Sequence, residues 1–216
     1  MINESTTSHS ATFSAPTLMP TPEPFAVVYA DPPWKPGQTG KRGAAEKYGL
    51  MSTADICAMP VADLAADDAV LLLWVVNNGL QDGLDVMKAW GFRYVTNAVW
   101  DKYYMGLGNH FRGSHEILLL GVKGSVKPKF HGQKSVFVEP RQEHSRKPQE
   151  IVQKIERMYD GPYLELFARE RPNSRHDWAV WGNQIASDVC LPGYPVPEYS
   201  TRGQAHAALV EGRDER

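Results

Sequence analysis

The sequence predicts an α/β fold built on a single, mostly parallel sheet flanked by helices. Short apolar runs with the composition of buried strands recur at residues 26–30, 70–76, 94–100, 116–122 and 163–168. Segments in which apolar residues recur at helical spacing separate several of these runs. Such an alternation is typical of βαβ units, whose strands pair in parallel.

The first strand ends abruptly at a carboxylate. Residues 26–30 carry no charge, and Asp31, Pro32, Pro33 and Trp34 follow directly. Because the two prolines lack amide hydrogens, they cannot extend a ladder of backbone hydrogen bonds. Asp31 is therefore predicted at the carboxyl end of a strand, where open α/β sheets bind ligands. The prolines also predict a stiff, extended segment with free carbonyl groups beside the carboxylate and the indole.

This arrangement suits the binding of an exocyclic amino group on a nucleobase. A carboxylate and a backbone carbonyl can accept its two hydrogens, while Trp34 stacks on the ring. A carboxylate that ends a buried strand without a partner destabilises the fold by an amount on the order of 1–3 kcal/mol. A binding site at Asp31 would explain why a carboxylate occupies this position. The alternative interpretation of these residues is a strand followed by a Pro-rich turn.

The remaining elements follow in order along the chain. Ser52 followed by Asp55 is a capping signal for a first, short helix, and Gly91 ends a second helix. Pro148 suits the first turn of a third helix. We therefore predict helices over residues 52–59, 80–90 and 148–158, and residues 178–181 form a last apolar run.

Composition predicts one folded domain with a tail at each end. The 216 residues, 42% of them apolar and 22% charged, are sufficient for one full core. Residues 1–24 include 13 Ser, Thr or Pro and no Lys or Arg, which predicts a disordered segment that is not a signal peptide. Residues 25–189 form the predicted domain, and residues 190–216, rich in Pro, Gly and charge, form a C-terminal tail.

Charge and cysteine content limit the partners. A formal net charge of −2 argues against a general polyanion-binding surface, so any nucleic-acid contact must be local. Cys57 and Cys190 match no metal-ligand spacing, which predicts no metal and favours a reducing compartment. The apolar run at residues 69–76 is too short to span a bilayer, so we expect no membrane partner and a cytoplasmic location.

Three segments are candidates for local contact with nucleic acid. Residues 35–47 are rich in Gly and Lys and are either a plain loop or a lid over substrate. Residues 101–114 combine glycines with aromatic side chains, which suit either the core or stacking on unpaired bases. Residues 123–147 hold seven Lys or Arg against two Glu, which is either a solvated surface or a phosphate contact.

Eight motifs in a defined order resemble the MT-A70-like family of S-adenosylmethionine-dependent adenine-N6 methyltransferases. They are Ala-Asp-Pro-Pro-Trp at 30–34, Tyr-Gly-Leu-Met-Ser at 48–52, Leu-Trp-Val at 73–75, Trp-Asp-Lys at 100–102, His-Glu-Ile-Leu-Leu-Leu-Gly-Val-Lys-Gly at 115–124, His-Ser-Arg-Lys-Pro at 144–148, Glu-Leu-Phe-Ala-Arg at 165–169 and Trp-Gly-Asn-Gln at 181–184. The resemblance implies a Rossmann-like methyltransferase fold in which the motif order is permuted, with the catalytic tetrapeptide ahead of the strand that binds the cofactor.

The resemblance also implies a role for individual residues. The catalytic group is Asp31, Pro32, Pro33 and Trp34. The residues expected to bind S-adenosyl-L-methionine are Asp31, Lys147, Phe167, Arg169, Asn183 and Gln184. The residues expected to bind substrate are Trp34, Tyr48, Trp100, Lys102 and Glu116. By residue type alone, Lys147 would be a surface lysine, Phe167 a core residue, and Asn183 with Gln184 a turn cap.

One segment departs from the family pattern. Residues 168–173 read Ala-Arg-Glu-Arg-Pro-Asn where eukaryotic relatives carry Gly-Arg-Pro-His-Asn, so a histidine contact to the cofactor ribose is not supplied at that place.

The expected function is methyl transfer to adenine N6 in nucleic acid. The compact chain, without the long accessory regions of eukaryotic relatives, favours DNA over RNA and a bacterial or phage-infected host cytosol. The alternatives are methylation of RNA adenine, a partner subunit without turnover, an enzyme for another amino substrate, and a nucleotide-binding domain.

Overall fold

The computed structural model describes residues 23–35, 49–108, 110–141, 146–194, 200 and 202–203. Tyr48, most of the proposed lid and nearly all of the predicted N-terminal tail lie outside these residues.

A single seven-stranded sheet forms the centre of the described chain. Its strands are β1 (Phe25–Ala30), β2 (Ala65–Val75), β3 (Arg93–Asp101), β4 (His115–Lys123), β5 (Val136–Val138), β6 (Tyr163–Leu166) and β7 (Trp178–Trp181). The strand order is β5-β3-β4-β2-β1-β6-β7. Among these strands only β4 runs antiparallel to its neighbours. The prediction of one mostly parallel sheet with a Rossmann-like arrangement is confirmed.

The connection between β3 and β4 differs from the predicted βαβ pattern. No helix lies among the described residues of this connection, 102–108 and 110–114, and β4 pairs with β3 antiparallel instead of through the crossover of a βαβ unit. The three-residue strand β5 was not predicted, because so short a run has no readable periodicity.

Helices cover both faces of the sheet. They are α1 (Thr53–Cys57), α2 (Leu80–Ala89) and α3 (Glu150–Met158), each within the range predicted from sequence. The predicted cap of α1 is confirmed, since the Ser52 hydroxyl accepts from the Asp55 amide at 3.1 Å. One apolar cluster joins α1 and α2 to one face of the sheet, and a second joins α3 to the other. Strand alternation places Tyr29, Leu72 and Trp74 on the α3 face.

Packing continues past residue 189, where the sequence predicted a tail. Cys190 and Leu191 are buried, and Leu191 joins the α1 and α2 cluster. The Tyr194 hydroxyl donates to the Asp55 carbonyl at 2.9 Å. Ser200 is buried as well, so the described part of this segment belongs to the domain. No helix among the described residues has the length and apolar character needed to cross a membrane.

Candidate active site

Asp31 follows β1 directly, at the carboxyl end of a strand that lies between β2 and β6. The Lys147 ammonium donates to Asp31 Oδ2 at 2.6 Å and lies 3.3 Å from Glu116 Oε2. The other oxygen of Glu116 accepts from the Lys102 ammonium. Four charged groups from distant parts of the chain thus form one continuous network, in which Lys147 bridges two carboxylates.

The network fixes the ionisation of its buried members. Burial alone would lower the pKa of Lys147, but Asp31 and Glu116 outweigh it and raise the pKa above its ordinary value. Burial alone would raise the pKa of Glu116, but Lys147 and Lys102 lower it below its ordinary value. Lys147 and Glu116 are therefore both charged at neutral pH. In the network, the ammonium groups of Lys147 and Lys102 face the carboxylates of Asp31 and Glu116.

Two tryptophans and a tyrosine support this network. The Trp34 indole donates to the Trp74 carbonyl at 2.9 Å, which fixes the plane of the Trp34 ring. The Lys147 ammonium lies 5.4 Å from the centroid of the Trp74 ring, within cation–π range. Trp74 in turn donates its indole hydrogen to the Tyr29 hydroxyl at 2.7 Å. The ring of Trp74 thereby forms a fixed apolar floor under Lys147.

The prediction of free carbonyl groups after Asp31 is wrong. The Pro32 carbonyl accepts from the Trp34 amide at 2.9 Å, and the Pro33 carbonyl accepts from the Met51 amide at 2.9 Å. The Lys35 amide donates to the Met51 carbonyl at 3.0 Å, so this segment pairs with residues near α1. These bonds hold the segment in place, in addition to the φ angles that the two prolines fix. Each carbonyl retains a second lone pair for another donor.

Beside the network lies an open cavity of about 410 Å³. It is lined by ten of the residues singled out from the sequence: Asp31, Pro32, Pro33, Trp34, Glu116, Lys147, Phe167, Arg169, Asn183 and Gln184. They come from the ends of β1, β4, β6 and β7 and from the residues before α3. The carboxyl ends of β1, β6 and β7 meet at one edge of the sheet because these strands are parallel.

A family model described as MT-A70 matches residues 25–184, which include every residue that lines this cavity. The chain belongs to the MT-A70 family. This match confirms the resemblance seen in the ordered motifs.

Individual MT-A70 relatives are similar at about 30% identity. Type II methyltransferase M.MunI of Mycoplasma sp is 29% identical over 74% of this chain and 78% of its own length. The N(6)-adenosine-methyltransferase MT-A70-like protein of Drosophila melanogaster is 33% identical over 74% of the chain and 27% of its own length. The N(6)-adenosine-methyltransferase catalytic subunit METTL3 of Homo sapiens is 30% identical over 74% and 28%. The chain thus spans about a quarter of the length of these two animal relatives.

Trp100 does not reach the MT-A70 cavity, contrary to the expectation that it binds substrate. It is 1% exposed and lies in the cluster between α3 and the sheet. Its indole donates to the Glu139 carbonyl at 2.7 Å, and its ring lies 6.0 Å from that of Trp74. The Lys102 ammonium lies 5.2 Å from the Trp100 ring, so Trp100 supports a charged neighbour instead of lining the site. Lys102 lines an adjacent, smaller cavity.

The MT-A70 cavity contains a strained backbone at the end of β6. Phe167 has φ of 64°, a left-handed conformation that is uncommon for a bulky residue and is found mostly at functional sites. The following amide, of Ala168, donates to the Trp181 carbonyl at 2.9 Å. A Cβ on Gly182 would lie 2.1 Å from the Ala168 carbonyl oxygen, so this close crossing of two loops requires glycine.

Sequence reasoning missed Trp74 and Trp181, both of which line the cavity. Both belong to motifs shared with the family, Leu-Trp-Val at 73–75 and Trp-Gly-Asn-Gln at 181–184, and this membership could have identified them from the sequence. Trp181 is informative because its indole nitrogen is buried and has no acceptor within the described part of the chain. A buried N–H without an acceptor lowers folding stability by an amount on the order of 1–3 kcal/mol. A ligand in the cavity that accepts this hydrogen would explain the presence of the indole there.

Glu165 lies on β6 beside Tyr29 of β1, close to the site but outside the cavity lining. Burial, reinforced by the charge of Asp31, raises the pKa of Glu165 from 4.5 to about 8. Burial and the neighbouring Glu165 also raise the pKa of Tyr29. At neutral pH the Glu165 carboxyl is mainly protonated, so it adds little negative charge next to Asp31.

Several cations of the basic segment at residues 123–147 bond to other groups of the same chain, in part at its surface. Lys123 donates to the carbonyls of Ala62 and Ala65 at 3.2 and 3.1 Å. Lys129 pairs with Asp160, and Arg146 pairs with Glu170. Among the described residues, no group of three His, Cys, Asp or Glu has an arrangement that could hold a metal ion.

Proposed function

We propose that this chain transfers a methyl group from S-adenosyl-L-methionine to N6 of adenine in nucleic acid, with DNA preferred over RNA. One observation carries the proposal. In a chain of the MT-A70 family, the Asp-Pro-Pro-Trp tetrapeptide lies at the wall of a cavity of about 410 Å³, with an ion-paired carboxylate at its edge. The cavity is large enough for a cofactor, and it is lined by both polar and aromatic groups.

The donor set of the cavity fits S-adenosyl-L-methionine. Asn183 and Gln184 offer amide groups for hydroxyl and ring-nitrogen partners, and Phe167 and Trp181 offer aromatic surface. The indole hydrogen of Trp181 still lacks an acceptor. Lys147 offers a cation for a carboxylate, and the carboxylate of Asp31 offers an acceptor for an ammonium group. Arg169 lines the same wall, and these residues together would hold the cofactor.

When bound, the cofactor supplies an activated methyl group on a sulfonium centre. The task of the protein is then to orient the acceptor and to exclude water. Asp31 and the remaining lone pair of the Pro32 carbonyl accept the two hydrogens of the adenine amino group. These bonds favour a tetrahedral nitrogen over the planar, conjugated one, which makes its lone pair available. The nitrogen gains the methyl carbon and gives up one of its two protons to solvent, so the product is a neutral methylamino group. Trp34 flanks the base, and its ring plane is fixed by the bond to Trp74.

Lys147 has a positioning task between the two carboxylates. Its ammonium bonds to Asp31 at 2.6 Å and also lies 3.3 Å from Glu116. Without this cation, two negative groups would face the same cavity and would repel each other. Lys147 therefore keeps Asp31 oriented as an acceptor and leaves Glu116 near the position of the base.

The target adenine must be unpaired when it enters the cavity. N6 is part of the Watson–Crick edge and is hidden within a duplex, so a DNA target must be flipped out or single-stranded. The preference for DNA is supported by the similarity to a type II methyltransferase, which the chain matches at 29% identity over 78% of that relative's length.

A label-transfer experiment tests the proposal. The purified chain is incubated with methyl-labelled S-adenosyl-L-methionine and, in parallel, with methylation-free DNA and RNA of the same sequence. After digestion to nucleosides, we expect the label in N6-methyldeoxyadenosine. Label in RNA alone would overturn the preference for DNA. Cofactor binding without label in either polymer would indicate a subunit without turnover, and label on another amino group would indicate a different substrate.

A further inference from the structure

In the connection between β3 and β4, the described residues 102–108 and 110–114 form the two sides of a hairpin. The Lys102 amide donates to the Ser114 carbonyl at 2.7 Å, and the Gly106 amide donates to the Gly113 carbonyl at 2.7 Å. The Gly113 amide donates back to the Leu107 carbonyl at 3.1 Å. Backbone bonds therefore hold the two sides of the hairpin together along the part that lies next to the site.

The base of this hairpin contains a strained tyrosine. Tyr103 has φ of 68°, and its amide donates to the Asp101 carboxylate at 2.9 Å, which holds the conformation in place. The ring of Tyr104 packs edge-on against Tyr103, with the ring centroids 5.0 Å apart. Strain of this kind persists where the surroundings impose it, and it clusters at ligand-binding sites. The position of the Tyr104 ring is therefore set by the backbone conformation of Tyr103 and by its contact with the Tyr103 ring.

A second cavity of about 280 Å³ lies under the hairpin. Tyr104, Met105 and Leu107 contribute apolar wall, although these side chains are 66%, 78% and 88% exposed. Arg141 lies at the same cavity and forms no ion pair with a carboxylate of the described residues. Glu116 lines both this cavity and the larger one, so the two are contiguous.

The chemistry of this second cavity is that of a nucleotide site. Exposed apolar side chains and a tyrosine provide a stacking surface for a base of any sequence. Lys102 lines the cavity but is already paired with Glu116, whereas Arg141 has no carboxylate partner among the described residues. An arginine at the edge of the cavity suits a phosphate oxygen. A small apolar ligand or a purely hydrophobic protein partner would not need this arginine.

We propose that the second cavity binds the nucleotide that adjoins the target adenine in an unpaired strand. The inference rests on the proposed function, because it assumes that the target base occupies the larger cavity. The strand then passes across Glu116, with the target base on one side and the neighbouring base stacked against Tyr104 and Leu107. Arg141 binds the phosphate of that neighbour. The substrate is thus a strand that is unpaired over at least two consecutive nucleotides.

A coupling experiment between protein side chain and base tests this proposal. The substrates are single-stranded oligodeoxynucleotides with one adenine and an abasic site immediately before it, immediately after it, or nowhere. The variants are Tyr104→Ala combined with Leu107→Ala and, as a matched control, Phe111→Ala. Phe111 is on the same hairpin and is 92% exposed, but it does not line the cavity. For each combination of protein variant and oligonucleotide, kcat/KM for methyl transfer is measured. The Kd for S-adenosyl-L-methionine is measured for each protein variant.

For the wild-type chain, we expect one of the two abasic substrates to lose about 5- to 100-fold in kcat/KM, the range typical of one stacked base. The double variant should show a similar loss on the intact substrate and no further loss on that abasic substrate. Phe111→Ala should behave like wild type, and the Kd for the cofactor should stay unchanged throughout.

Three results would overturn the proposal. One is an equal abasic effect in the wild type and the double variant, and another is no abasic effect at either position. The third is a change of oligomeric state in the double variant by analytical ultracentrifugation, with loss of activity on every substrate, which would assign the hairpin to a protein partner. If the wild type transfers no methyl group to any adenine oligonucleotide, the proposed function itself fails. This outcome differs from the three results above, because each of them requires an active wild-type chain.

Discussion

The Lys147 ammonium lies 2.6 Å from the Asp31 carboxylate, although 116 positions separate the two residues in the sequence. This ion pair joins the segment before α3 to the end of β1. It lies at the wall of the main cavity, with the Lys147 side chain 13% exposed. The geometry, burial and charge balance of the whole site depend on it.

Replacing Lys147 with methionine should impair both stability and turnover. The substitution leaves Asp31 and Glu116 facing each other without a counter-charge, and breaking a buried pair in this way costs about 3–5 kcal/mol. Because Asp31 is partly exposed, we expect the lower part of this range in chemical denaturation. Lys129→Met, which breaks an exposed pair with Asp160, is the matched control and should cost much less, because water screens an exposed pair. Equal losses in both variants would contradict the assignment of Lys147 to a buried network.

Asp31→Asn should abolish most turnover while keeping the fold. The amide retains the shape of the side chain but removes the negative charge and replaces one acceptor oxygen with a donor. Its bonds to Lys147 and to the substrate amino group are therefore both weaker. We expect a loss of at least about 100-fold in kcat for methyl transfer, in the range seen when one catalytic hydrogen-bonding group is removed. Circular dichroism should show an unchanged fold. Wild-type turnover in this variant would exclude Asp31 from the reaction.

Glu165→Gln should increase stability at high pH. In the folded chain Glu165 keeps its proton up to about pH 8, whereas in the unfolded chain it releases the proton near 4.5. Between these values the folded state binds more protons, so the free energy of unfolding falls as pH rises and the full penalty is present above pH 8. The variant lacks this penalty.

The measurement for Glu165 is a series of urea denaturation curves from pH 4 to pH 9. The variant and the wild type should agree near pH 4, and the variant should gain roughly 1–4 kcal/mol by pH 9. Glu150→Gln, which removes an exposed carboxylate from α3, should run parallel to the wild type. A constant difference between Glu165→Gln and wild type across the range would show that Glu165 is ionised in the folded protein.

Gly182→Ala should disturb the loop crossing beside the cavity. The new Cβ would lie 2.1 Å from the Ala168 carbonyl oxygen, a contact that only backbone movement can relieve. We expect a cost of about 1–3 kcal/mol in unfolding, together with weaker binding of S-adenosyl-L-methionine by calorimetry. Gly49→Ala is the control for stability, since nothing lies within 4 Å of its new methyl group. A neutral result for Gly182→Ala would show that the crossing is adaptable.

Trp100→Phe separates a supporting role from a role in substrate binding. The indole bond to the Glu139 carbonyl would be lost, and a buried side chain would be shortened. We expect a loss of about 1–3 kcal/mol in stability and little change in KM for the nucleic acid. A raised KM with unchanged stability would restore Trp100 to the substrate site.

Local patterns in the sequence determined most of the elements and the placement of the tetrapeptide. The apolar runs became strands, and the Ser52 cap formed as predicted. The prolines ended β1 so that Asp31 follows it directly. These features depend on residues that are close to one another in the sequence, through side-chain periodicity, capping hydrogen bonds and the missing amide hydrogens of proline. They can therefore be predicted from the sequence alone.

Only the tertiary structure decided which distant groups meet. The reversed direction of β4, the burial of Trp100, the engaged Pro32 carbonyl and the Lys147 bridge all depend on how separate segments pack. Residue type and spacing leave such contacts open, because a lysine before a helix or a tryptophan in a strand has several acceptable environments. The packing of two apolar faces on one sheet selects among them, and it thereby brings Asp31, Glu116 and Lys147 to one cavity.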